Sequence, residues 1–157
     1  MKTTLTAGEI MTESVLMAYE GWSIRRLSEF FLTNKISGAP VISSDHSLVG
    51  VVTMSDVVQF EGKSVSDKKA LMEEVYAEYV GLDYDEATKN QLLAKADENC
   101  TVHQVMTKNV VQVDESVNLQ ELAYIMLQHG IRRVFVSKQG IIRGVVSTSN
   151  ILKALAK

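Results

Sequence analysis

The first part of the chain shows the apolar spacing of a helix with one buried face. Ile24, Leu27 and Phe31 follow one another at intervals of three and four residues, which places them on the same side of a helix. We therefore predict a helix over about 22–34, preceded by a short apolar strand at 15–18.

A hairpin and a second helix are predicted next. Apolar runs at 39–42 and 48–52 are separated by Ser-Ser-Asp-His-Ser at 43–47, which is typical of a turn between two strands. Thr53 and Asp56 then precede an apolar pair at the spacing of a capping box, with Asp in place of Glu. The predicted order is strand, helix, strand, strand, helix.

The same pattern occurs twice. Residues 10–16 (Ile-Met-Thr-Glu-Ser-Val-Leu) resemble residues 105–111 (Val-Met-Thr-Lys-Asn-Val-Val), and residues 50–56 (Gly-Val-Val-Thr-Met-Ser-Asp) resemble residues 144–150 (Gly-Val-Val-Ser-Thr-Ser-Asn). Between the two matches the offset falls from 95 to 94 positions, as expected when one residue is lost from a surface turn. The chain therefore carries an internal repeat.

The repeat predicts an α+β fold made of two βαββα units, with boundaries at 7–58 and 102–157. A single unit would leave one apolar face of its sheet uncovered, so we expect the two units to pack on each other as one pseudo-symmetric module. Residues 59–101 form an insert between them that is too long to be a simple connection.

The insert is predicted to contain two helices. The first is expected from Asp67 to about Gly81, with Ser66 as its N-cap, and the second from Tyr84 to Ala96. Ten acidic and five basic residues fall in this stretch, without the spacing of a calcium loop. A solvated helix face is the favoured interpretation of the charges, and a surface for a partner or a second copy is the alternative.

Composition narrows the classes of function. A net charge of −3 and a pI near 5.6 argue against nucleic-acid binding, because a basic surface is needed to hold phosphates. The sequence contains no run of about 18 to 20 consecutive apolar residues, which is the length needed to span a bilayer. With one cysteine and no apolar signal-peptide run at its start, the protein is expected in the cytoplasm.

The repeated motifs resemble those of tandem cystathionine-beta-synthase (CBS) domains. The resemblance rests on the two Met-Thr pairs, on the Ile-Ser-Gly-Ala-Pro-Val stretch at 36–41, and on the two Gly-apolar-apolar-Thr/Ser-x-x-Asp/Asn motifs at 50–56 and 144–150. It covers nearly all of the chain except the insert. Such pairs form a flattened module whose clefts commonly bind AMP, ADP, ATP or S-adenosylmethionine, and whose motif acid holds the ribose hydroxyls.

The resemblance assigns a set of nucleotide-binding residues to this chain. Thr53, Ser55 and Asp56 belong to the first motif, with Ser147, Ser149 and Asn150 at the matching positions of the second. The strand backbone at Ala39, Pro40, Val41, Ile131 and Val134 would contact the adenine edge, and Arg133 would face phosphates.

The residues of the first motif suit this role on physical grounds. An Asp at a helix start can accept hydrogen bonds from a vicinal diol, and the free N–H groups there attract phosphate. Gly50 and Gly144 are expected to let a ligand approach closely. Thr53 and Asp56 would also serve as a helix cap without any ligand, so the two roles compete for the Asp56 side chain.

The second repeat departs from the family pattern at several positions. Asn150 replaces the acid, so a second ribose contact is in doubt, and Phe135 stands where the first repeat has Pro40. Arg132 and Arg133 replace Ser37 and Gly38. Arg133 is interpreted either as a phosphate contact or as a solvated residue at a strand end.

No enzymatic motif was found. The chain lacks the phosphate-binding, dinucleotide-binding, zinc-protease and serine-hydrolase sequence patterns. Cys100 and the three histidines, His46, His103 and His129, lack the partners that a nucleophile or a metal site would need, so we expect no catalytic residue and no metal.

We therefore expect a regulatory module that senses an adenine-containing nucleotide and acts on another protein. A ligand-free structural or dimerisation module is the alternative. A homodimer is predicted through the helices that follow the two motifs and through the amphipathic insert, with Tyr76 and Tyr79 as candidate contacts.

Overall fold

The computed structural model describes residues 4–79 and 86–157. It shows two three-stranded sheets with helices, in the predicted mixed α+β class. The elements of the first repeat and the insert are α1 (Ala7–Ile10), β1 (Ala18–Tyr19), α2 (Ile24–Asn34), β2 (Gly38–Ile42), β3 (Leu48–Thr53), α3 (Met54–Glu61), α4 (Val65–Tyr79), α5 (Glu86–Ala94) and α6 (Ala96–Asn99). Those of the second repeat are α7 (Val102–Val105), β4 (Gln112–Asp114), α8 (Leu119–His129), β5 (Arg133–Lys138), β6 (Ile141–Ser147) and α9 (Thr148–Leu155).

The two sheets have the same topology. In each, a short first strand runs parallel to the central strand, and the central strand pairs antiparallel with the last one. The register also shifts at equivalent places, between Val41 and Ile42 in one sheet and between Val136 and Ser137 in the other. The internal repeat in the sequence is thus a repeat of structure, and the predicted βαββα order is confirmed.

Local sequence explains the principal helix of each repeat. Ser23 caps α2 by accepting a hydrogen bond from the Arg26 N–H at 3.1 Å, and Asn118 caps α8 in the same way through the Glu121 N–H at 2.9 Å. Helix α2 therefore begins at Ile24, two residues later than the predicted start at about 22. Ile24, Leu27 and Phe31 are buried, as their spacing indicated.

A short helix with a capping box opens each repeat, a feature that the sequence prediction missed. We call 7–12 the first lead and 102–107 the second lead. Thr6 and Glu9 begin α1, and Thr101 and Gln104 begin α7, each pair at the spacing of a capping box.

The two leads are exchanged between the repeats. Thr12 pairs with Val145 of the second sheet, and Thr107 pairs with Val51 of the first sheet, with backbone N–H···O distances of 2.9 to 3.0 Å. Each of the two hydrophobic cores is accordingly completed by residues of the other repeat's lead, which include Ala7 in one core and Val102 in the other. The expectation that the repeats form one body is correct, and the interlocked leads are the reason.

The insert packs on the first repeat. Met72 of α4, Ala96 of α6 and Cys100 are buried with Phe60 in the first core. These residues of the insert are thus covered by their own chain, and the insert as a dimer contact stays a prediction. The side chains of Tyr76 and Tyr79 lie outside the described residues.

The ends of the insert helices differ from the predictions. Helix α4 begins at Val65, and Ser64 rather than Ser66 accepts the hydrogen bond of the Asp67 N–H, at 3.2 Å. The predicted second helix is divided at Lys95 into α5 and α6. Gly81 and Tyr84, the predicted end and start, lie outside the described residues.

Candidate functional site

The first motif forms a helix start directly after strand β3. Asp56 Oδ2 accepts hydrogen bonds from the Thr53 N–H at 2.8 Å and from the Thr53 hydroxyl at 3.3 Å. Both side chains are half-buried, whereas Ser55 is exposed. The predicted capping box is confirmed, and it uses a single oxygen of the carboxylate.

The second carboxylate oxygen of Asp56 has no hydrogen-bond partner within 4–79 and 86–157. A carboxylate can accept about four hydrogen bonds in all. Capping and ligand binding therefore do not exclude each other here, contrary to the competition expected from the sequence, because one oxygen holds the helix and the other is available.

The second motif has the same cap but different free groups. Asn150 Oδ1 accepts from the Ser147 N–H at 2.8 Å and from the Ser147 hydroxyl at 2.7 Å. Asn150 Nδ2 donates to the Ile10 carbonyl oxygen at 3.0 Å and to the Thr12 hydroxyl at 3.4 Å. Both ends of the Asn150 amide are thus bonded within the chain, and its NH₂ group holds the first lead.

Gly50 and Gly144 serve the interlocked leads, which corrects the expectation that they admit a ligand. A Cβ on Gly50 would lie 2.7 Å from Met106 Sδ and 2.9 Å from the Thr107 carbonyl oxygen. On Gly144 it would lie 2.6 Å from Met11 Sδ and 2.8 Å from the Thr12 carbonyl oxygen. Both glycines are required because the Met-Thr pair of the other repeat passes directly over the strand.

The predicted adenine-reading residues lie in or next to the central strands of the two sheets. Ala39, Pro40 and Val41 are buried in β2 and pair with β3, while Val134 of β5 is fully buried and pairs with Val146. Ile131 lies just before β5, and its N–H donates to the Met126 carbonyl at the end of α8. These positions support the sheets, and their contact with adenine stays a prediction.

Arg133 and Ser149 are exposed at one end of the second sheet. Arg133 begins β5 and pairs in register with Ser147, so it lies beside the second motif. No hydrogen bond or ion pair within the described ranges joins it to Asp56 of the first motif. The phosphate contact of Arg133 stays a prediction.

Sequence reasoning missed the two lead threonines. Thr12 lies against Asn150, and Thr107 pairs with Val51, two residues before Thr53. Both leads therefore run beside the motif of the opposite repeat. The repeated Met-Thr pair was the available signal, but its partner strand could not be identified from spacing alone.

The lining of an open pocket of about 650 Å³ includes no residue of either motif. It is lined by the first lead, the β4–α8 turn and strand β6, at Thr6, Gly8, Met11, Glu13, Glu115, Ser116, Ile142 and Arg143. None of the predicted nucleotide-binding residues contributes to it. The Glu115 carboxylate in this lining lies 3.3 Å from Lys138 Nζ and 3.9 Å from Arg143 Nε.

The remaining reactive side chains have structural surroundings. Burial raises the pKa of the Cys100 thiol to about 11, which disfavours the nucleophilic thiolate. His103 Nδ1 lies 3.2 Å from a Glu20 carboxylate oxygen. Across 4–79 and 86–157 no group of three His, Cys, Asp or Glu residues is placed to hold a metal ion, and no helix there is long and apolar enough to cross a membrane.

Comparison with known proteins identifies relatives of the whole arrangement. The family model described as "CBS domain" matches residues 7–62 and 102–157. The first match runs four residues beyond the predicted boundary at 58, to Gly62, the residue that follows α3. Among curated proteins, the uncharacterized protein MJ1225 of Methanocaldococcus jannaschii is 25% identical over 147 residues, covering 94% of this chain and 41% of that protein. The chain therefore spans less than half the length of this relative.

Solved structures share the fold. CBSX2 of Arabidopsis thaliana in complex with AMP matches with a TM-score of 0.67 and 22% identity, over 97% of this chain and 96% of that one. The CBS domain pair of MJ0100 in complex with 5′-methylthioadenosine and S-adenosyl-L-methionine matches with a TM-score of 0.63 and 17% identity, over 98% of both chains. At these identities the likeness establishes the fold alone.

Proposed function

The chain belongs to the CBS domain family, of which it carries two copies, and on this premise we propose that it is a regulatory module that binds an adenine-containing nucleotide and signals to a partner protein. The ligand class is AMP, ADP, ATP or S-adenosylmethionine. The proposal is supported by two similar domain pairs: CBSX2 was solved with AMP, and MJ0100 was solved with two adenosyl compounds.

The half-buried Asp56 carboxylate carries this proposal. Its bonds to Thr53 fix the side chain at the start of α3, and its second oxygen has no partner in the described part of the chain. A vicinal diol offers two O–H donors to such an acceptor. The first-turn N–H groups of α3 lie beside it, where an anion is favoured.

Neighbouring groups complete the proposed binding site. Ser55 is exposed on the first turn of α3, and Thr107 of the second lead runs along β3 just before the motif. Arg133 lies beside the second motif rather than the first and is the proposed phosphate contact there, since a guanidinium group pairs well with phosphate oxygens. The strand positions Ala39 and Val41 are proposed to lie beneath the adenine.

The output is proposed to pass to another polypeptide. Both repeats are needed to build the two-sheet module, and the sequence contains none of the catalytic motifs sought. In this proposal the module is therefore not itself an enzyme. The proposed contacts of a homodimer are exposed apolar side chains on the helices after the motifs. These are Val58 on α3 and Leu152 and Leu155 on α9, which are 61 to 67% exposed.

A ligand-free structural module is the second candidate. The observation that favours it is Asn150, whose amide is bonded to Ser147, Ile10 and Thr12 and so has a structural role without any ligand. In this alternative both motifs act only as helix caps.

A thermal-shift panel separates the two candidates. AMP, ADP, ATP, S-adenosylmethionine and NADH are added to the purified chain, and the proposal expects at least one adenosine compound to raise the melting temperature in a concentration-dependent way. NADH tests whether a dinucleotide is accepted. If every compound leaves the melting temperature unchanged at millimolar concentration, the structural module is the better account.

Replacing Asp56 by Asn tests the site itself. Asn can still accept the Thr53 hydrogen bonds, so stability should change by well under about 1 kcal/mol. The charge-assisted bonds to the diol are lost, and affinity measured by titration calorimetry should fall about ten- to a hundredfold. Asp45→Asn, in the exposed 43–47 turn, is the matched control. Unchanged affinity in the Asp56 variant would show that Asp56 is only a cap.

A further inference from the structure

The two repeats differ in the side chain that stands beside one glutamate. The Gly8 N–H donates to the Glu115 carbonyl oxygen at 2.9 Å, and the His103 N–H donates to the Glu20 carbonyl oxygen at 2.9 Å. These two pairs occupy matching positions of the repeat, at an offset of 95 residues. His103 Nδ1 lies 3.2 Å from the Glu20 carboxylate. Gly8 has no side chain, so no ring takes the matching place beside Glu115.

This place belongs to the open pocket of about 650 Å³. Small-molecule sites in proteins are usually cavities of roughly 300 to 1,000 Å³. Polar side chains of the pocket differ from those at the matching positions of the other repeat. The aligned pairs are Glu13 and Lys108, Ser116 and Gly21, and Arg143 and Val49. The chemistry of the pocket is therefore specific to one side of the module.

The charged groups of the pocket keep their capacity for a ligand. Arg143 approaches the Glu115 carboxylate through Nε at 3.9 Å, which is beyond hydrogen-bond range, although a guanidinium group carries several N–H donors. Within residues 4–79 and 86–157 the side chains of Arg143 and Glu13 make no hydrogen bond, and Glu13 makes no ion pair. Both side chains are exposed. The pocket thus offers a cation and an acid whose hydrogen-bonding groups the described fold does not use.

The lining indicates the class of ligand. The carboxylates of Glu13 and Glu115 favour an ammonium group, and the Arg143 guanidinium favours a carboxylate, which it can bind in a bidentate way. Met11 and Ile142 add half-buried apolar side chains to the same lining. A nucleotide fits less well, because the two carboxylates repel its phosphates. An α-amino acid combines the ammonium and carboxylate groups with a side chain.

We propose that this pocket is a second ligand site, for an α-amino acid, formed by the first lead with its flanking residues, the β4–α8 turn and strand β6. The ammonium group lies against Glu13 and Glu115, in the place that corresponds to the His103 ring, and the carboxylate group lies against Arg143. The site shares no residue with either motif, so the inference does not rest on the proposed nucleotide binding.

Titration calorimetry on the full chain tests for the site. The probes are L-alanine, L-leucine, L-lysine and L-glutamate, which differ in the size and charge of the side chain but share the ammonium and carboxylate groups. At least one is expected to bind at one site per chain at millimolar concentration. For the tightest probe, the amine without the carboxylate and the acid without the ammonium group should each bind about ten- to a hundredfold more weakly. Failure of every probe to bind, or equal binding of the analogues, would overturn the inference.

Gly8→His tests where the amino acid binds. The new imidazole is expected to lie beside Glu115, as His103 lies beside Glu20, and to abolish binding of the probe without lowering the melting temperature. A Cβ at this position would lie 3.2 Å from Glu115 Cβ, a contact that a shift of a few tenths of an ångström relieves. If the folded variant binds the probe as the wild type does, the ligand is not in this pocket and the proposal is wrong.

Arg143→Gln tests the carboxylate contact without altering the backbone at Gly8, and it decides the question if Gly8→His does not fold. Affinity for the probe should fall about ten- to a hundredfold. Lys153→Gln is the matched control, because it removes one positive charge from an exposed residue of α9 outside the pocket. Its affinity should stay within about twofold of the wild type. Equal weakening in both variants would attribute the effect to net charge and refute the proposed contact.

Discussion

Adding one methyl group to Gly50 or Gly144 should weaken the pairing between each lead and the sheet of the other repeat. The methyl group of Gly50→Ala would lie 2.7 Å from Met106 Sδ and 2.9 Å from the Thr107 carbonyl oxygen. Ordinary contacts between such atoms are about 3.5 to 4.0 Å, so the second lead must move by several tenths of an ångström or more.

The two neighbours of the new methyl group differ in how readily they move. The Met106 thioether is flexible and can turn aside at small cost. The Thr107 carbonyl oxygen accepts the 2.9 Å hydrogen bond from the Val51 N–H, so moving it weakens the pairing that fastens the lead. Overpacking of this kind costs about 1 to 3 kcal/mol, whereas replacing Gly by Ala in a compatible backbone stabilises by about 0.4 to 1 kcal/mol.

The net expectation is a loss of roughly 1 to 2 kcal/mol in the free energy of unfolding, measured by urea denaturation. Gly144→Ala should behave alike, because its Cβ would meet Met11 and Thr12 at 2.6 and 2.8 Å. Gly38→Ala is the control, since its Cβ would lie at an ordinary 3.5 Å from its nearest neighbours. If Gly50→Ala and Gly144→Ala are as stable as the wild type, the leads do not lie over these strands as described.

Three further predictions address charge, assembly and pH. If Arg133 faces phosphate, AMP should bind more tightly than adenosine and weaken as salt rises, and Arg133→Ala should abolish that difference; equal affinities in the wild type would contradict it. Light scattering should show a dimer that Leu152→Asp dissociates, and a concentration-independent wild-type monomer would exclude the proposed pairing. Burial raises the pKa of the Cys100 thiol to about 11, so as pH rises this thiol loses its proton in the unfolded chain before it does so in the folded one. The free energy of unfolding should therefore fall between about pH 9 and 11. Cys100→Ala should remove this pH dependence in urea titrations, and an unchanged slope would show that Cys100 is not its source.

The elements that could be predicted from the sequence are those set by local patterns. The helix with Ile24, Leu27 and Phe31 follows from its spacing, and the start of α3 follows from Thr53 and Asp56. Both signals involve residues within a few positions of one another, where side-chain periodicity and capping act directly. The structure confirms both.

The exchange of the leads could not be predicted, because it depends on contacts between residues that are 56 positions apart (Val51 and Thr107) or 133 positions apart (Thr12 and Val145). The Met-Thr repeat and the motif glycine were each visible, but nothing local shows that Met106 lies over Gly50. Without knowledge of that contact, the sequence suggests instead that Gly50 lets a ligand approach closely. The prediction of Ser66 as the cap of α4 failed for a different reason, since Ser64, which is the observed cap, offers the same chemistry two positions away.

The second lead connects the insert to both sheets. Gln104 Nε2 on α7 donates to the Leu71 carbonyl oxygen of α4 at 2.7 Å, so the insert is attached to this short helix. Thr107 of the same lead pairs with Val51 of the first sheet, and the chain continues from the lead into β4 of the second sheet. A ligand that binds at the first motif, as proposed, would therefore lie beside a segment that joins the insert to both sheets, whereas the first lead is tied to the second motif by Asn150.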